Sequence, residues 1–162
     1  MRYAGLITND FSAAPGISVS FYTQGCPHRC PHCQNPQTWD FKGGFEFTPK
    51  VIDEIIEALT ANGIQRNLCI LGGEPLCPEN EFLTYLVISN VKEKIPDIKI
   101  YIWTGYIYED LLTYKSPHIS NILELTYCLI DGPYKHELRD ITLPMRGSSN
   151  QRLIYLDNNK KI

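Results

Sequence analysis

The chain has 162 residues, 43% of them hydrophobic, and a formal net charge of -3. At that length roughly 70% of the unfolded surface can be buried, which supports one domain spanning residues 1–162 rather than two. The acidic balance argues against a nucleic-acid partner, which needs clustered Lys and Arg, and no apolar run approaches the ~20 residues of a membrane span.

Residues 1–7 are largely apolar, but Thr8-Asn9-Asp10 interrupts them too early for a secretory leader. The expected location is therefore the cytoplasm, where thiols stay reduced and six cysteines read as metal ligands or buried thiols, not as a disulfide framework. Residues 17–23 read as the first strand, followed by a loop with three cysteines. Thr48-Pro49 starts a helix whose apolar stripe is Val51, Ile52, Ile55, Ile56 and Leu59, with Gly63 suited to its end. A short buried strand over 68–71 ends at Gly72-Gly73. A second helix, marked by Phe82, Leu83, Leu86, Val87 and Val91, must stop before Pro96. Residues 98–103 form a third strand ending at Thr104-Gly105, a short helix follows around 109–114, and residues 127–130 form a fourth strand ending at Asp131-Gly132.

Strand, crossover helix and parallel strand in repetition give an α/β fold. A complete eight-fold barrel needs about 250 residues, so the expectation is an incomplete (β/α) barrel of parallel strands, with a small doubly wound sheet as the alternative. In both, ligands bind at the carboxyl ends of the strands, where Gly25-Cys26, Gly72-Gly73, Thr104-Gly105 and Asp131-Gly132 fall.

The most specific signal is Cys26-Pro27-His28-Arg29-Cys30-Pro31-His32-Cys33, a C-x3-C-x2-C triplet directly after a strand. A complete [4Fe-4S] cage takes four thiolates, so three close cysteines imply one iron without a protein ligand, and an open position implies catalysis. The alternative is structural zinc, with His28 or His32 completing a Cys3His set, although structural zinc usually joins two separated ligand pairs. Cys69 and Cys128 lie in strands and read as small buried hydrophobes, with Cys77 on the loop after Gly72-Gly73-Glu74-Pro75. The polar stretch Arg146-Gly147-Ser148-Ser149-Asn150-Gln151-Arg152 reads either as a turn capped by side-chain hydrogen bonds or as a contact surface for a partner loop or a cofactor.

The cysteine triplet resembles the cluster motif of the radical S-adenosylmethionine superfamily, and Gly72-Gly73-Glu74-Pro75 is similar to its second signature. That resemblance implies a [4Fe-4S] cluster on Cys26, Cys30 and Cys33 and an S-adenosyl-L-methionine whose amino group meets the Gly72, Gly73 and Glu74 turn. It also implies His32, Cys33 and Gln34 as cofactor neighbours. Glycine permits close backbone approach, and Glu74 offers an ammonium a countercharge. Further segments narrow the resemblance: Thr23-Gln24-Gly25-Cys26, Asn35-Pro36-Gln37-Thr38-Trp39, Trp103-Thr104-Gly105-Tyr106, Asp131-Gly132-Pro133-Tyr134 and the Arg146 to Arg152 stretch. Together they resemble the family that activates anaerobic ribonucleoside-triphosphate reductase. The resemblance implies a glycyl radical made on that reductase, with an external electron donor such as flavodoxin. The rival is the activase of another glycyl-radical enzyme, such as pyruvate formate-lyase. A small-molecule radical enzyme such as a 7-deazaguanine synthase is disfavoured by the short chain. Two departures stand out: Ala13-Ala14-Pro15-Gly16 replaces the usual Asn-Gly-Pro-Gly, and Gln34 replaces the aromatic residue that often follows the third cysteine.

Overall fold

A computed structural model describes residues 1–156. Its centre is a seven-stranded sheet of order β3-β1-β2-β4-β5-β6-β7. The strands are β1 (Arg2–Asp10), β2 (Ser18–Thr23), β3 (Phe45–Glu46), β4 (Asn67–Gly72), β5 (Ile100–Trp103), β6 (Cys128–Asp131) and β7 (Arg152–Tyr155). The helices are α1 (Pro49–Thr60), α2 (Glu81–Lys94), α3 (Tyr108–Thr113) and α4 (Pro117–Leu125). The predicted strands correspond to β2, β4, β5 and β6, and these four pair in parallel. Antiparallel strands flank them, β1 and β3 on one edge and β7 on the other. The sheet is therefore mixed, where an all-parallel one was expected.

The pleat sorts the side chains. Val19 and Phe21 of β2, Leu68 and Ile70 of β4, Ile100 and Ile102 of β5 and Leu129 of β6 share one core with the buried faces of all four helices. Alternate residues, Cys69, Tyr101, Cys128 and Ile130, form a second, smaller cluster on the opposite face with Ala14, against which Leu71, Trp103 and Met145 pack. Period-two alternation with both faces covered explains the near-continuous apolar reading of these strands. The helices cover one face only, and the parallel strands follow chain order without reversal. A doubly wound sheet needs helices on both faces and a switch in strand order, so that alternative is set aside.

Helix α1 buries Val51, Ile52, Ile55 and Leu59, the stripe expected for it. Its end is a single 3-10 turn, Ala61–Gly63, in which Asn62 and Gly63 take positive φ of 58° and 65°. In α2 the expected Phe82 is on the solvent side, while Leu83, Val87, Ile88 and Val91 are buried. Helix α4 was not anticipated. Pro117 opens it, and the Ser116 hydroxyl caps it by accepting from the His118 N–H at 3.2 Å.

Cys69, with no exposure, fills the second cluster, and burial pushes its thiol up to about 12. A thiol held neutral in an apolar site acts as packing. Cys69→Ala should therefore lower unfolding free energy by about 1–3 kcal/mol in urea titration and leave iron loading unchanged. Loss of iron at unaltered stability would contradict this assignment.

Candidate active site

The carboxyl ends of β2, β4, β5 and β6 and the helix-free face of the sheet border a cleft of about 510 Å³. Cys26, Gly72, Gly73, Thr104, Gly105 and Gly132 all line it, so the four turns picked out by sequence do meet. Cys30, Cys33, Gln34 and Glu74 line it too. His32 does not. It is exposed, and its ring stacks on that of His136 with centroids 4.1 Å apart.

The cysteine loop is fixed at its base by backbone hydrogen bonds from Gly25 to Thr38 at 2.7 Å and from Cys26 to Trp39 at 3.2 Å. Arg29 and His32, each immediately before a cysteine, take positive φ of 49° and 61°. Left-handed turns at non-glycine residues carry a conformational cost, and here they reverse the chain twice within one short loop. Main-chain N–H groups favour the thiolates, those of His28 and Arg29 beside Cys26 and that of Tyr134 beside Cys30, while the Asn35 N–H donates to Cys33 Sγ at 3.4 Å. Burial nonetheless holds the Cys26 and Cys30 thiols above their ordinary range, against those hydrogen bonds.

N–H donors aimed at sulfur are the arrangement that stabilises cluster-bound thiolates. Among the described residues, no three His, Cys, Asp or Glu side chains are grouped so as to hold a single ion. Thiolates that each bind a different iron of one cluster stand further apart than thiolates sharing an ion. His28, one of the two candidate fourth zinc ligands, is engaged by Glu74, its Nε2 2.7 Å from Oε2, and His32, the other, stacks on His136.

Glu74 is only 1% exposed, and its carboxylate meets four partners. Oε1 accepts from the Leu76 N–H at 3.0 Å and the Thr104 hydroxyl at 2.7 Å. Oε2 accepts from the Gly105 N–H at 2.7 Å and contacts His28. The glycines before it are required by the chain itself. A Cβ on Gly73 would stand 2.3 Å from the Gly25 carbonyl oxygen, and Gly72 has φ +103° with a Cβ position 2.8 Å from the Thr23 carbonyl. Close approach of backbone to backbone requires glycine at both positions. Asn80 completes the junction by donating its amide to the Gln24, Gly25 and Glu74 carbonyls at 3.0–3.1 Å.

The Arg146 to Arg152 stretch is largely bonded to its own chain. Gln151 Oε1 accepts from the Gly147 and Ser148 N–H groups, while its Nε2 donates to the Gly132 carbonyl. Asn150 donates to the Pro133 carbonyl at 2.7 Å. Arg152, already in β7, forms ion pairs with the fully buried Asp131 and with Glu109, whose carboxyl it pulls down to about 2. These groups build a turn from their own hydrogen bonds. Arg146 and Gln151 do line the cleft, however, as do Asp10, Ser12, Tyr22, Trp39, Trp103, Tyr134 and Met145, none of which was singled out from its residue type.

A family described as a 4Fe-4S single cluster domain matches residues 13–154. Relatives include the anaerobic ribonucleoside-triphosphate reductase-activating proteins of Salmonella typhimurium and Escherichia coli, each 32% identical over 157 residues, covering 96% of this chain and 99% of the relative. That of Enterobacteria phage T4 is 35% identical over 153 residues, covering 94% and 93%. The chain belongs to this family of activating proteins. Membership makes it an iron–sulfur enzyme and agrees with the cysteine loop, which falls inside the matched residues.

If Glu74 organises the cleft, replacing it should disturb stability without any ligand. The amide of Glu74→Gln would point a donor at a donor, leaving a buried N–H or O–H unpaired, at a cost of about 1–3 kcal/mol in urea titration of the cluster-free protein. An unchanged midpoint would mean that the carboxylate serves a ligand alone.

Proposed function

We propose that this chain activates an anaerobic ribonucleoside-triphosphate reductase in the cytoplasm by placing a glycyl radical on it. The observation that carries the proposal is the meeting of Cys26, Cys30 and Cys33 with the Gly72-Gly73-Glu74 turn in one cleft at the strand ends. Activating proteins match nearly the whole chain, and their printed name supplies the protein substrate.

In this reading Cys26, Cys30 and Cys33 hold three irons of a [4Fe-4S] cluster, leaving the fourth for S-adenosyl-L-methionine. The bound cluster would supply one electron, received from a flavodoxin-like carrier, for reductive cleavage of S-adenosyl-L-methionine, the chemistry by which an α-hydrogen would be taken from the reductase glycine. The chain's own residues do the rest. Glu74 supplies the countercharge for the cofactor ammonium, and His28 is the hydrogen-bond partner able to yield to it, since its other partners are an adjacent N–H, a strand-end N–H and a hydroxyl. Leu71, Trp103, Leu143 and Met145 give the cleft an apolar lining that keeps water from a reactive carbon. The one-sided helical cover and sequential strands suit the wall of an incomplete barrel, whose open side would admit a partner's loop.

Anaerobic reconstitution should load about four irons with matching sulfide, and Cys26→Ala, Cys30→Ala or Cys33→Ala should each abolish loading. Reduced wild-type protein should cleave S-adenosyl-L-methionine to 5′-deoxyadenosine. Stoichiometric zinc without iron–sulfur absorption, or full iron loading in any of the three variants, would overturn the proposal.

A further inference from the structure

Arg146 is the single Lys or Arg among the residues lining the cleft. It is also lightly engaged. Arg152 has two carboxylates, and Arg66 donates to Asn9 and to two carbonyls, whereas Arg146 makes one hydrogen bond, from Nη1 to the Gln151 carbonyl at 3.1 Å. Its Nε is buried without a partner, and no ion pair joins it to any described carboxylate. Asp140 feels its charge only as the last of several influences, after its hydrogen bonds to Thr142.

The two acids of the cleft do not answer it either. Glu74 is saturated as described, and Asp10 accepts from the Ser12 N–H, the Ser12 hydroxyl and the Ser20 hydroxyl at 2.7–2.8 Å. Around Arg146 the backbone is firmly set. Met145 stands in the left-handed region at φ 57°, its carbonyl receives the Trp103 indole N–H at 2.7 Å, and Gly147 is tied to Gln151. A guanidinium fork carried on a fixed turn, with an unsatisfied N–H in a partly dry cleft, is built to receive a planar anion by paired hydrogen bonds.

We infer that Arg146 binds the carboxylate of the cofactor's methionine moiety. The inference rests on the function proposed above, because S-adenosyl-L-methionine carries one anionic group and that group is a carboxylate. It assigns Arg146 to the cofactor and withdraws it from the partner's loop. With Glu74 on the ammonium and Arg146 on the carboxylate, each end of the amino-acid moiety meets a protein group of opposite charge, and neither charge is left uncompensated in the cleft.

The test compares two ligands on reconstituted protein by equilibrium calorimetry: S-adenosyl-L-methionine and its decarboxylated analogue. Arg146→Gln should weaken the first by about ten- to hundred-fold and the second by less than about two-fold. Arg146→Lys should fall between wild type and Arg146→Gln, and all three proteins should keep the same iron content and urea midpoint. Equal weakening of both ligands, unchanged affinity for both, or loss of iron in Arg146→Gln would overturn the assignment. Failure of the wild-type protein to bind S-adenosyl-L-methionine at all would instead overturn the function on which it rests.

Discussion

The buried carboxylate of Glu74 is the interaction on which the rest of the site depends. A charged group at 1% exposure is expensive unless hydrogen bonds satisfy it, and its donors come from three separate pieces of chain. Leu76 belongs to its own turn, Thr104 and Gly105 to the end of β5, and His28 to the cysteine loop after β2. Satisfying one carboxylate thus draws two strand ends and the cysteine loop to a common point. The main chain reinforces this, since the Glu74 N–H donates to the Gly25 carbonyl at 2.8 Å and Gly73 packs where no side chain would fit.

Much of the fold was legible because the parallel strands obey simple rules. Residues 68–71 and 127–130 are short apolar runs ending in glycine turns, and α1 has a clear stripe with Pro49 at its start. What escaped had weaker local signals. Strand β1 carries Gly5 at a register shift and polar residues at its end, and most of it is half-exposed, so its alternation is blurred. Strand β7 spans four residues and exists because β6 offers it an edge. Helix α2 shows the limit of a stripe read alone: Phe82 looks like core by composition but lies outward, next to the His118 ring at 5.3 Å.

For the site, sequence supplied the residues but not their commitments. The cysteine triplet was identifiable by spacing and the Gly72 to Glu74 turn by its resemblance to a family signature, and their convergence followed from placing turns at strand ends. No spacing could reveal that Glu74 spends its carboxylate on four chain donors, or that Arg152 answers the buried Asp131 across a strand pair. The polar stretch after residue 145 could be read as a turn or as a contact surface because six of its seven residues carry polar or charged side chains. In the fold those groups mostly bond one another and the Gly132-Pro133 carbonyls, which leaves Arg146 as the exception facing the cleft.

The proposed function joins these pieces into one requirement: the cysteine loop, the Gly72 to Glu74 turn and the cleft would together serve a radical that ends on another protein. Electron paramagnetic resonance tests that most directly. Reduced, reconstituted protein is mixed anaerobically with S-adenosyl-L-methionine and an anaerobic ribonucleoside-triphosphate reductase. The account predicts a glycyl doublet on the reductase that is absent when Cys30→Ala replaces the wild-type chain. Production of 5′-deoxyadenosine with no glycyl signal on the reductase would contradict it.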